Sequence, residues 1–464
     1  MKGFDLGVIG TGYVGLVTGT CLSHLGHRVV CVDKDEERIS ALKAARMPFY
    51  EPGLEELVSR NVREERLSFV GPGGLAELTG EADVLFIAVD TPEGEDGSAD
   101  LSSVAAVAKD IGRALSESET PPRERPLVVV NKSTVPVGSG DYVSMLIRDG
   151  LEEAGGGEAN VLVASNPEFL REGNALYDSL FPDRIVVGSD SREALDILRA
   201  LYEPVIEQGF STELDPRPKV AVPFVTTDLV SAEMIKYAAN AFLATKVSFI
   251  NEIANLCELV GADVSEVAYG IGLDGRIGAR FLSAGIGWGG SCFPKDVAAL
   301  RAVAREYDYE PLLLDATVAV NERQLKRVIA KLQRELHTLK GKRVALLGLS
   351  FKPNTDDLRE APSLTIARTL NSLGARAVGY DPVAGKKAME LVANLKVVFD
   401  PYEALRGAHA AVVVTEWEEF HSLDLKRAAA LMDRPKLLVD GRGNTVDPTA
   451  AVEAGLSYRG FGRG

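Results

Sequence analysis

The stretch Leu6-Gly7-Val8-Ile9-Gly10-Thr11-Gly12-Tyr13-Val14-Gly15 decides the fold predicted for the first part of the chain. A short apolar strand leads directly into the glycine pattern G-x-G-x-x-G. Residues 16–25 are then predicted to form a helix that ends at Gly26. A strand, a glycine loop and a helix in this order place the pyrophosphate of a dinucleotide against the backbone N–H groups of the helix N-terminus.

The acid that such a site needs is also present. A second strand, Arg28 to Val32, ends in Asp33, 18 residues after Gly15. An acid at this spacing accepts hydrogen bonds from a ribose 2′-hydroxyl and repels a 2′-phosphate, so the predicted cofactor is NAD and not NADP. Lys34 and Arg38 weaken that preference without reversing it.

Further buried strands are predicted at 83–89, 127–130 and 161–164, as expected for a doubly wound α/β domain. Thr91, Ser133 and Thr134 follow the carboxyl ends of the first two, where such sheets bind ligands. We expect these hydroxyls either to meet the cofactor or substrate or to cap helices. Glu168 and Glu172 follow the third strand and mark either a solvated helix start or an acid/base pair at the mouth of the site.

A long helix is predicted in the middle of the chain. No Gly or Pro interrupts the apolar helical pattern between Asp228, a predicted N-cap, and Gly261, the predicted stop. At 1.5 Å per residue this helix is roughly 50 Å long. Lys236 and Asn240 share one face, and Asn251 lies on nearly the same stripe. The stripe is either a solvent-exposed face or one wall of a pocket.

The stretch Gly285-Ile286-Gly287-Trp288-Gly289-Gly290-Ser291-Cys292-Phe293-Pro294-Lys295-Asp296 carries the strongest candidate for chemistry. Its glycines are expected to let the backbone approach a ligand closely. Pro294 suits the first turn of a helix, which places Cys292 at a helix N-terminus. The helix dipole and Lys295 should both favour the reactive thiolate of Cys292. The alternative is a glycine-rich turn with a buried, inert thiol.

A second α/β unit follows, with strands predicted at 342–348, 375–381, 411–415 and 437–440. It lacks the G-x-G-x-x-G pattern. In its place stands Ser350-Phe351-Lys352-Pro353-Asn354-Thr355-Asp356-Asp357-Leu358-Arg359, which offers an aromatic ring for stacking on a base and a cation for phosphate. We interpret this unit as the binding domain for a nucleotide other than the cofactor. A duplicated domain that only dimerises remains the alternative.

Composition excludes several functional classes. The net charge of −16 argues against a nucleic-acid partner, and no apolar run reaches the roughly 18 residues of a membrane span. Cys21, Cys31 and Cys257 lie in apolar patterns and are expected to be core thiols. So few cysteines in 464 residues indicate a reducing cytoplasm, and the N-terminus is expected to leave no room for a signal peptide. No metal site is predicted.

Taken together, these motifs make the sequence similar to the UDP-glucose/GDP-mannose dehydrogenase family. The resemblance covers nearly the whole chain and depends on six motifs in order: G-T-G-Y-V-G at Gly10, S-T-V-P-V-G at Ser133, N-P-E-F-L-R-E-G at Asn166, the helix with Lys236 and Asn240, G-G-S-C-F-P-K-D at Gly289, and F-K-P-N-T-D-D-x-R at Phe351.

The resemblance implies that a sugar primary alcohol is oxidised to a carboxylate with two NAD. The expected substrate is UDP-glucose and the expected product UDP-glucuronate. GDP-mannose or UDP-galactose, a two-electron dehydrogenase of the hydroxyacid type and a non-enzymatic nucleotide-sensing dimer stay open as alternatives. The catalytic residues that the resemblance implies are the nucleophile Cys292, the alcohol-side groups Lys236, Asp296 and Asn240, and the hydrolysis-side groups Glu168 and Thr134.

The resemblance also implies the ligand contacts. Cofactor contacts are expected at Gly10, Thr11, Gly12, Tyr13, Val14, Gly15, Asp33, Arg38, Thr91, Ser133, Thr134, Glu172, Lys295 and Arg359. Nucleotide-sugar contacts are expected at Glu168, Phe169, Leu170, Lys236, Asn240, Arg276, Phe281, Ser283, Gly285, Gly289, Phe351, Lys352 and Arg442. Arg276 matches an arginine that family members supply across a dimer interface, so a homodimer or higher homo-oligomer is expected.

The predicted fold class is α/β, with two Rossmann-like doubly wound parallel-sheet domains joined by a long central helix and a helical dimerisation domain. We expect an NAD-binding domain at 1–215, a central helical domain with the cysteine loop at 216–325, and a UDP-sugar-binding domain at 326–464.

Overall fold

The computed structural model describes residues 3–117, 125–218, 220–443 and 445–463. The chain divides into two compact units. The first comprises Met1–Ala238 with Ala298–Val303, and the second comprises Ala239–Val297 with Ala304–Gly464. Each unit is built around its own sheet, as predicted.

The first unit contains an eight-stranded sheet. Its strands are β1 (Asp5–Ile9), β2 (Arg28–Val32), β3 (Leu67–Val70), β4 (Val84–Ile87), β5 (Leu127–Asn131), β6 (Val161–Ser165), β7 (Ile185–Gly188) and β8 (Phe224–Thr227). They lie in the order β3-β2-β1-β4-β5-β6-β7-β8, which begins with the order of a dinucleotide-binding sheet. The sheet is not parallel throughout, because β7 runs antiparallel to β6 where Ser165 pairs with Gly188.

Helices cover both faces of this sheet. They are α1 (Tyr13–His24), α2 (Glu36–Lys43), α3 (Leu54–Arg63), α4 (Leu75–Glu81), α5 (Ser102–Glu117), α6 (Ser139–Glu153), α7 (Ala175–Leu180), α8 (Arg192–Leu201) and α9 (Glu203–Ile206), with a 3₁₀ turn at Pro72–Gly74. Alternate strand residues enter two separate cores, so Val128 and Val130 pack on one face while Leu127 and Val129 pack on the other. Strands buried on both faces explain the continuous apolar runs from which they were predicted.

Four helices follow: α10 (Leu229–Val260), α11 (Val264–Gly272), α12 (Phe293–Glu306) and α13 (Leu312–Leu336). The 32 residues of α10 confirm the predicted long helix. Asp228 Oδ1 accepts a hydrogen bond from the backbone N–H of Ser231 at 2.7 Å, and Gly261 adopts a φ of +76° directly after the last turn. Both predicted boundary residues therefore act as expected.

The second unit contains a six-stranded, wholly parallel sheet in the order β11-β10-β9-β12-β13-β14. Its strands are β9 (Arg343–Leu347), β10 (Arg376–Tyr380), β11 (Lys396–Val398), β12 (Ala410–Val413), β13 (Leu437–Asp440) and β14 (Ser457–Arg459). The helices between them are α14 (Pro362–Ser372), α15 (Gly385–Leu391), α16 (Pro401–Leu405), α17 (Glu418–His421), α18 (Leu425–Leu431) and α19 (Pro448–Glu453).

The same hydrogen-bonding arrangement occurs at the ends of the strands in both sheets. After β2, Asp33 accepts a hydrogen bond from the backbone N–H of Thr11 at 2.7 Å. After β10, Asp381 accepts hydrogen bonds from the backbone N–H groups of Leu349 and Ser350 at 2.7 and 2.9 Å. In each case the acid at the end of the second strand holds the loop that leaves the first strand. This supports the predicted parallel between the two α/β units.

The part of the chain that the structure describes contains neither a membrane-spanning helix nor a cluster of metal ligands. None of its helices combines the length and the apolar character that a membrane span requires. No group of three or more His, Cys, Asp or Glu side chains in it is arranged to hold a metal ion.

Candidate active site

The loop after β1 has the geometry of a phosphate cradle. Gly10 has a φ of +101°, and a Cβ there would lie 2.5 Å from the carbonyl oxygen of Ala88. A Cβ at Gly15 would lie 1.9 Å from the carbonyl oxygen of Gly10, so both positions require glycine. At Gly12, the N-cap of α1, a Cβ would meet only Asp90 Oδ1 at 3.7 Å, and no side chain caps the helix. No side chain therefore caps the helix N-terminus, where a pyrophosphate is predicted to bind.

Asp33 stands at the end of β2 and is 7% exposed. Its Oδ2 accepts hydrogen bonds from Thr11 N and Thr11 Oγ1 at 2.7 and 2.6 Å, and Arg38 Nη1 lies 3.3 Å away. Burial raises the pKa of Asp33, but the hydrogen bonds from Thr11 and Asp35, together with Arg38, lower it overall. Asp33 is therefore a fixed carboxylate at the end of β2, and its hydrogen bond from a ribose hydroxyl stays a prediction.

Glu51 supports the start of α1, although sequence patterns do not single it out. It is 6% exposed and hydrogen-bonded to the hydroxyl of Tyr13. The backbone N–H groups of Gly173 and Ala175 donate to Glu51 at 2.6 and 2.7 Å. The Tyr13 ring also stacks on Phe49 with centroids 4.4 Å apart. These contacts join the start of α1 to the segment that follows Glu172. The Glu172 side chain is buried as well, at 9% exposed.

The predicted hydroxyls after β4 and β5 connect neighbouring loops. Thr91 Oγ1 donates to the backbone carbonyl of Thr134 at 2.7 Å, and Ser133 Oγ donates to that of Val89 at 2.7 Å. Neither Thr91 nor Ser133 caps a helix, so that alternative is wrong for both. The two hydroxyls hold the β4 and β5 loops together at the edge of the sheet where ligands of this fold bind.

Glu168 and Lys236 form a buried ion pair. Lys236 Nζ lies 2.8 Å from Glu168 Oε1, and the two side chains are 5% and 7% exposed. Glu168 Oε2 also accepts a hydrogen bond from the backbone N–H of Leu170 at 2.9 Å. Burial raises the pKa of Glu168, but Lys236 and then Lys132 lower it overall. The segment after β6 is not helical, so the alternative of a solvated helix start is wrong.

The ring of Phe169 lies beside two cations. Lys236 Nζ is 5.4 Å from its centroid, and the guanidinium carbon of Arg184 is 3.7 Å away. Cations at these distances are attracted to the face of an aromatic ring. The ring therefore helps to fix Lys236 on the side that carries Glu168.

Lys132 is a second cation near Glu168 that sequence reasoning missed. Its Nζ donates to Asn166 Oδ1 at 2.9 Å, and the Tyr202 hydroxyl donates to the same oxygen at 2.6 Å. Burial lowers the pKa of Lys132 to about 8, with Glu168 opposing and Lys236 adding to that effect. Its position directly before Ser133 at the end of β5 was the only signal available in the sequence.

Glu233 is a further buried acid that the sequence analysis did not name. It is 2% exposed and lies one helical turn before Lys236 on α10. Its carboxylate accepts hydrogen bonds from the backbone N–H groups of Gly138 and Gly140 at 2.7 and 2.8 Å, at the start of α6. Burial raises the pKa of Glu233 to about 7, against the lowering effect of these N–H groups. Glu233 thus anchors the end of the loop that carries Thr134.

In the second unit, Cys292 is the N-cap residue of α12, as predicted, and Pro294 lies in the first turn. Cys21, Cys31 and Cys257 are buried, whereas Cys292 is partly exposed. Burial raises the pKa of both Cys21 and Cys31 to about 12, which makes those thiols inert. The alternative of a buried thiol at Cys292 is therefore wrong.

Asp296 lies one turn further along α12, and its backbone N–H donates to the carbonyl oxygen of Cys292 at 2.9 Å. It is 1% exposed. One carboxylate oxygen accepts a hydrogen bond from Asn240 Nδ2 at 2.6 Å, and the other is 2.6 Å from Lys295 Nζ. The start of α12 therefore carries the Cys292 thiol at the positive end of the helix dipole. It also carries the Asp296 carboxylate, each oxygen of which has a partner.

The polar stripe on α10 faces the interior along its length, so a solvent-exposed face is wrong. Lys236, Asn240 and Asn251 are 4%, 7% and 0% exposed. Beyond the contacts of Lys236 and Asn240, Asn251 Oδ1 accepts a hydrogen bond from the backbone N–H of Gly285 at 2.8 Å. The stripe therefore contacts the glycine-rich loop through Asn251, in addition to the contacts that Lys236 and Asn240 make.

The glycines of that loop pack against the protein itself. A Cβ at Gly285 would lie 2.3 Å from the carbonyl oxygen of Gly441, and one at Gly289 would lie 2.2 Å from that of Glu360. At Gly290, with a φ of +84°, it would lie 2.5 Å from the Phe351 ring. Glycine is therefore required at these three positions because a side chain would collide with other parts of the second unit, while the approach of a ligand to this loop stays a prediction.

Arg442 connects the loop to the second sheet. Its guanidinium donates to the carbonyl oxygens of Val414 at 2.7 Å, Phe351 at 2.9 Å and Gly287 at 3.4 Å, and it pairs with Glu416 at 3.0 Å. Next to it, Lys352 Nζ lies 5.1 Å from the centroid of the Phe351 ring. Arg442 therefore holds the segment that carries the predicted nucleotide contacts.

Three residues that were predicted to contact ligands are exposed to solvent. Arg276 pairs with Asp274, and Arg359 pairs with Asp357, with 90% and 59% of the arginine side chains exposed. Ser283 is exposed as well. Within the single chain, Arg276 contacts none of the other predicted site residues in the hydrogen bonds and ion pairs of the described residues. The Phe281 ring, by contrast, lies 6.3 Å from that of Phe293 at the start of α12.

Three domain profiles of one protein family match this chain. Residues 4–206 match the NAD-binding domain, residues 230–323 the central domain, and residues 345–448 the UDP-binding domain. The chain belongs to the UDP-glucose/GDP-mannose dehydrogenase family. This confirms the resemblance drawn from the six motifs, and the NAD-binding domain confirms the cofactor predicted from Asp33.

Individual members of the UDP-glucose/GDP-mannose dehydrogenase family agree with this over the full length. The chain is 44% identical over 459 residues to UDP-glucose 6-dehydrogenase TuaD of Bacillus subtilis, covering 99% of this chain and 93% of that protein. It is 46% identical over 464 residues to the UDP-glucose 6-dehydrogenase of Rhizobium meliloti, covering 98% and 99%. The solved structure of a UDP-glucose dehydrogenase from Pyrobaculum islandicum superposes with a TM-score of 0.87 at 38% identity, covering 100% and 98%.

Proposed function

We propose that the protein oxidises UDP-glucose to UDP-glucuronate in a four-electron reaction that consumes two NAD and one water. The observation that carries the proposal is Cys292, a partly exposed thiol at the N-cap of α12 with the buried carboxylate of Asp296 one turn away. The relatives named UDP-glucose 6-dehydrogenase support this choice of substrate.

In the first oxidation, the sugar C6 alcohol loses a hydride from carbon and a proton from oxygen and becomes an aldehyde. Bound NAD would supply the hydride acceptor for this oxidation and for the second one. Lys236 and Asp296 handle the proton and stabilise the developing oxyanion, with Asn240 as a hydrogen-bond donor. Asn240 already donates to Asp296 at 2.6 Å, so this carboxylate is held in place before substrate binds.

The Cys292 sulfur then adds to the aldehyde carbon, and its proton passes to the new hydroxyl, which gives a thiohemiacetal. Loss of a second hydride and the hydroxyl proton converts this into a thioester. Water attacks the thioester carbon, the carbon–sulfur bond breaks, and the carboxylate and the thiol are released. Glu168 and Thr134 position and deprotonate the water in this proposal. Lys236 and Lys132 keep Glu168 ionised, and an ionised carboxylate is the form that accepts a proton.

Phe351, Lys352 and Arg442 are proposed to organise the nucleotide end of the substrate. They belong to the stretch that matches the family's UDP-binding domain. Phe281, Ser283, Gly285 and Gly289 would line the sugar end. The predicted cofactor contacts at Glu172, Lys295 and Arg359 also remain proposals, as does the division into domains at 1–215, 216–325 and 326–464.

We further propose that the protein is a cytoplasmic homodimer. An exposed apolar stripe on α10, formed by Phe242, Phe249 and Leu256 at seven-residue spacing, is 65%, 49% and 51% exposed. An apolar stripe of this kind is a typical helix–helix interface, and a second copy of the chain would cover it. The exposed Arg276 would then be able to reach the partner's substrate, as the family resemblance implies.

The experiment that tests the function is NADH release with a panel of UDP-glucose, UDP-galactose and GDP-mannose. We expect turnover with UDP-glucose and a carboxylate product identified by mass spectrometry. Preference for another nucleotide sugar would keep the chemistry and correct the substrate. A product that stops at the aldehyde would instead support the two-electron alternative.

The nucleophile is tested separately with Cys292→Ser. This variant should still bind NAD and UDP-glucose but lose steady-state turnover by several orders of magnitude. The matched control is Cys257→Ser, a buried thiol of the same unit that the proposed chemistry does not use. Turnover in Cys292→Ser equal to that of the control would refute the assignment.

A further inference from the structure

A row of basic side chains crosses the amino-terminal edge of the second sheet. Lys396, Arg376 and Arg343 are the first residues of β11, β10 and β9, and His409 directly precedes β12. These strands are neighbours in the order β11-β10-β9-β12. At roughly 4.8 Å per strand spacing, the row is about 14 Å long.

Strand register and alternation place the four residues on one face of the sheet. Arg376 pairs with Arg343 in the register of β10 and β9. The residue after each basic one packs into the core on one face: Val344, Ala377, Val397 and Ala410. The residue after that packs into the core on the other face: Ala345, Val378, Val398 and Ala411. Successive side chains point to opposite faces, so the basic residues share the second face.

The row lines a cavity of about 670 Å³ at the opposite edge of the sheet from the proposed nucleotide site. Arg406, at the end of α16, adds a further cation to its wall, and Asp433 is the acid among its lining residues. Three arginines and one lysine therefore face one carboxylate, before any charge on His409 is counted. This is an unusual balance in a protein whose net charge is −16.

The protein neutralises little of this charge. Arg343 Nη2 donates to the carbonyl oxygen of Glu403 at 3.1 Å, while its Nε is buried without a hydrogen-bond partner in the described structure. Among the described residues, no carboxylate forms an ion pair with Arg376, Lys396 or Arg406. Like charges on neighbouring strands repel each other, so a bound anion would stabilise this arrangement.

We propose that this cavity binds a small anion that carries two or more linked phosphate groups. One phosphate cannot contact side chains distributed over about 14 Å, whereas a phosphate chain can follow the row across the strands. Arginine forks bind phosphate oxygens in pairs, and lysine adds a compact charge, so the two residue types suit such a ligand. The proposal does not depend on the proposed dehydrogenase activity, because it uses none of the same residues.

The test is calorimetric titration of the full-length protein with inorganic tripolyphosphate and, in a second arm, with ATP. NAD and UDP are kept in excess, so that phosphate sites at the carboxyl ends of both sheets are filled. The cavity variant is Arg376→Gln/Lys396→Gln. Its matched control is Lys386→Gln/Lys426→Gln, which removes two exposed lysines of the same unit outside the cavity. Circular dichroism and NADH release verify that both variants are folded.

We expect the wild type to bind at least one probe, with an affinity that falls as salt is added. The cavity variant should bind roughly tenfold or more weakly, since two charged hydrogen-bonding groups are lost. The control should match the wild type. Tighter binding of ATP than of tripolyphosphate identifies a nucleotide as the ligand, and the reverse identifies a free phosphate chain. Absence of wild-type binding at about 1 mM probe, or equal binding by the cavity variant, would overturn the proposal.

Discussion

Replacement of Lys236 by Met removes one partner of the buried ion pair with Glu168. The charged atoms are 2.8 Å apart, and both side chains are at most 7% exposed. Methionine keeps most of the apolar stem but leaves the carboxylate without its nearest cation. Removing one partner of such a pair costs about 3 to 5 kcal/mol. Lys132 still acts on Glu168, so we expect the lower end, about 3 kcal/mol at pH 7.

The loss should depend on pH with a defined sign. In the wild type the pKa of Glu168 is lowered, so its contribution to stability is present above the ordinary glutamate pKa and is lost as pH falls through the folded value. In Lys236→Met, we expect burial, which Lys236 no longer opposes, to raise the pKa of Glu168 above that ordinary value. The contribution is then present in acid and is lost as pH rises. The difference in stability between the two proteins should therefore be smaller at about pH 4 than near neutrality.

Differential scanning calorimetry at both pH values measures this. About 3 kcal/mol corresponds to roughly 6 to 12 °C for a unit of this size. Glu168→Gln/Lys236→Met should recover more than half of the loss at pH 7, because no buried charge remains. The control Lys246→Met removes a lysine of the same helix that donates to the carbonyl of Ile277 at 3.0 Å, and its effect should not vary with pH. Additive losses in the double variant, or equal losses at both pH values, would refute the reasoning.

Other perturbations have equally direct outcomes. Burial raises the pKa of Glu233 to about 7, so the contribution of Glu233 to stability is lost as pH rises through neutrality. The melting temperature of Glu233→Gln relative to that of the wild type should therefore increase between about pH 5.5 and 8. A difference that does not change with pH would contradict this. Gly289→Ala places a Cβ 2.2 Å from a backbone carbonyl and should cost about 2 kcal/mol or more in urea unfolding, whereas Gly71→Ala meets nothing within 4 Å and should stay within about 0.5 kcal/mol. Arg442→Lys loses the fork that binds several carbonyl oxygens and should cost about 1.5 to 3 kcal/mol in the same assay; an unchanged midpoint would show that the fork is dispensable.

The edge strands β8 and β14, which the sequence analysis missed, differ in burial from the inner strands that it found, although the buried strand β7 was missed as well. Leu127–Asn131 and Leu437–Asp440 are buried at every position and read as continuous apolar runs. Phe224–Thr227 has no buried residue, and Ser457–Arg459 has only three residues, none of them buried. Such edge strands form because a neighbouring strand offers hydrogen bonds, and that neighbour is not visible in local sequence.

The site shows the same limit. Cys292 was predictable because a helix N-cap followed by proline is a local signal. Glu233 lies on the same face of α10 as Lys236 and Asn240, so the polar stripe extended by one turn would have included it. Its hydrogen bonds to the start of α6, by contrast, are a tertiary contact. The packing of Gly289 against Glu360 was likewise hidden, because a glycine that approaches a ligand and one that approaches backbone look identical in sequence.

The most direct test of the central claim, that Cys292 retains the half-oxidised sugar for a second oxidation, is the number of NADH formed per UDP-glucose consumed. With UDP-glucose limiting and NAD in excess, absorbance at the end of the reaction gives that ratio. We expect two NADH for each UDP-glucuronate, with no free aldehyde trapped by added hydroxylamine. A ratio of one, with the aldehyde recovered as its oxime, would contradict it.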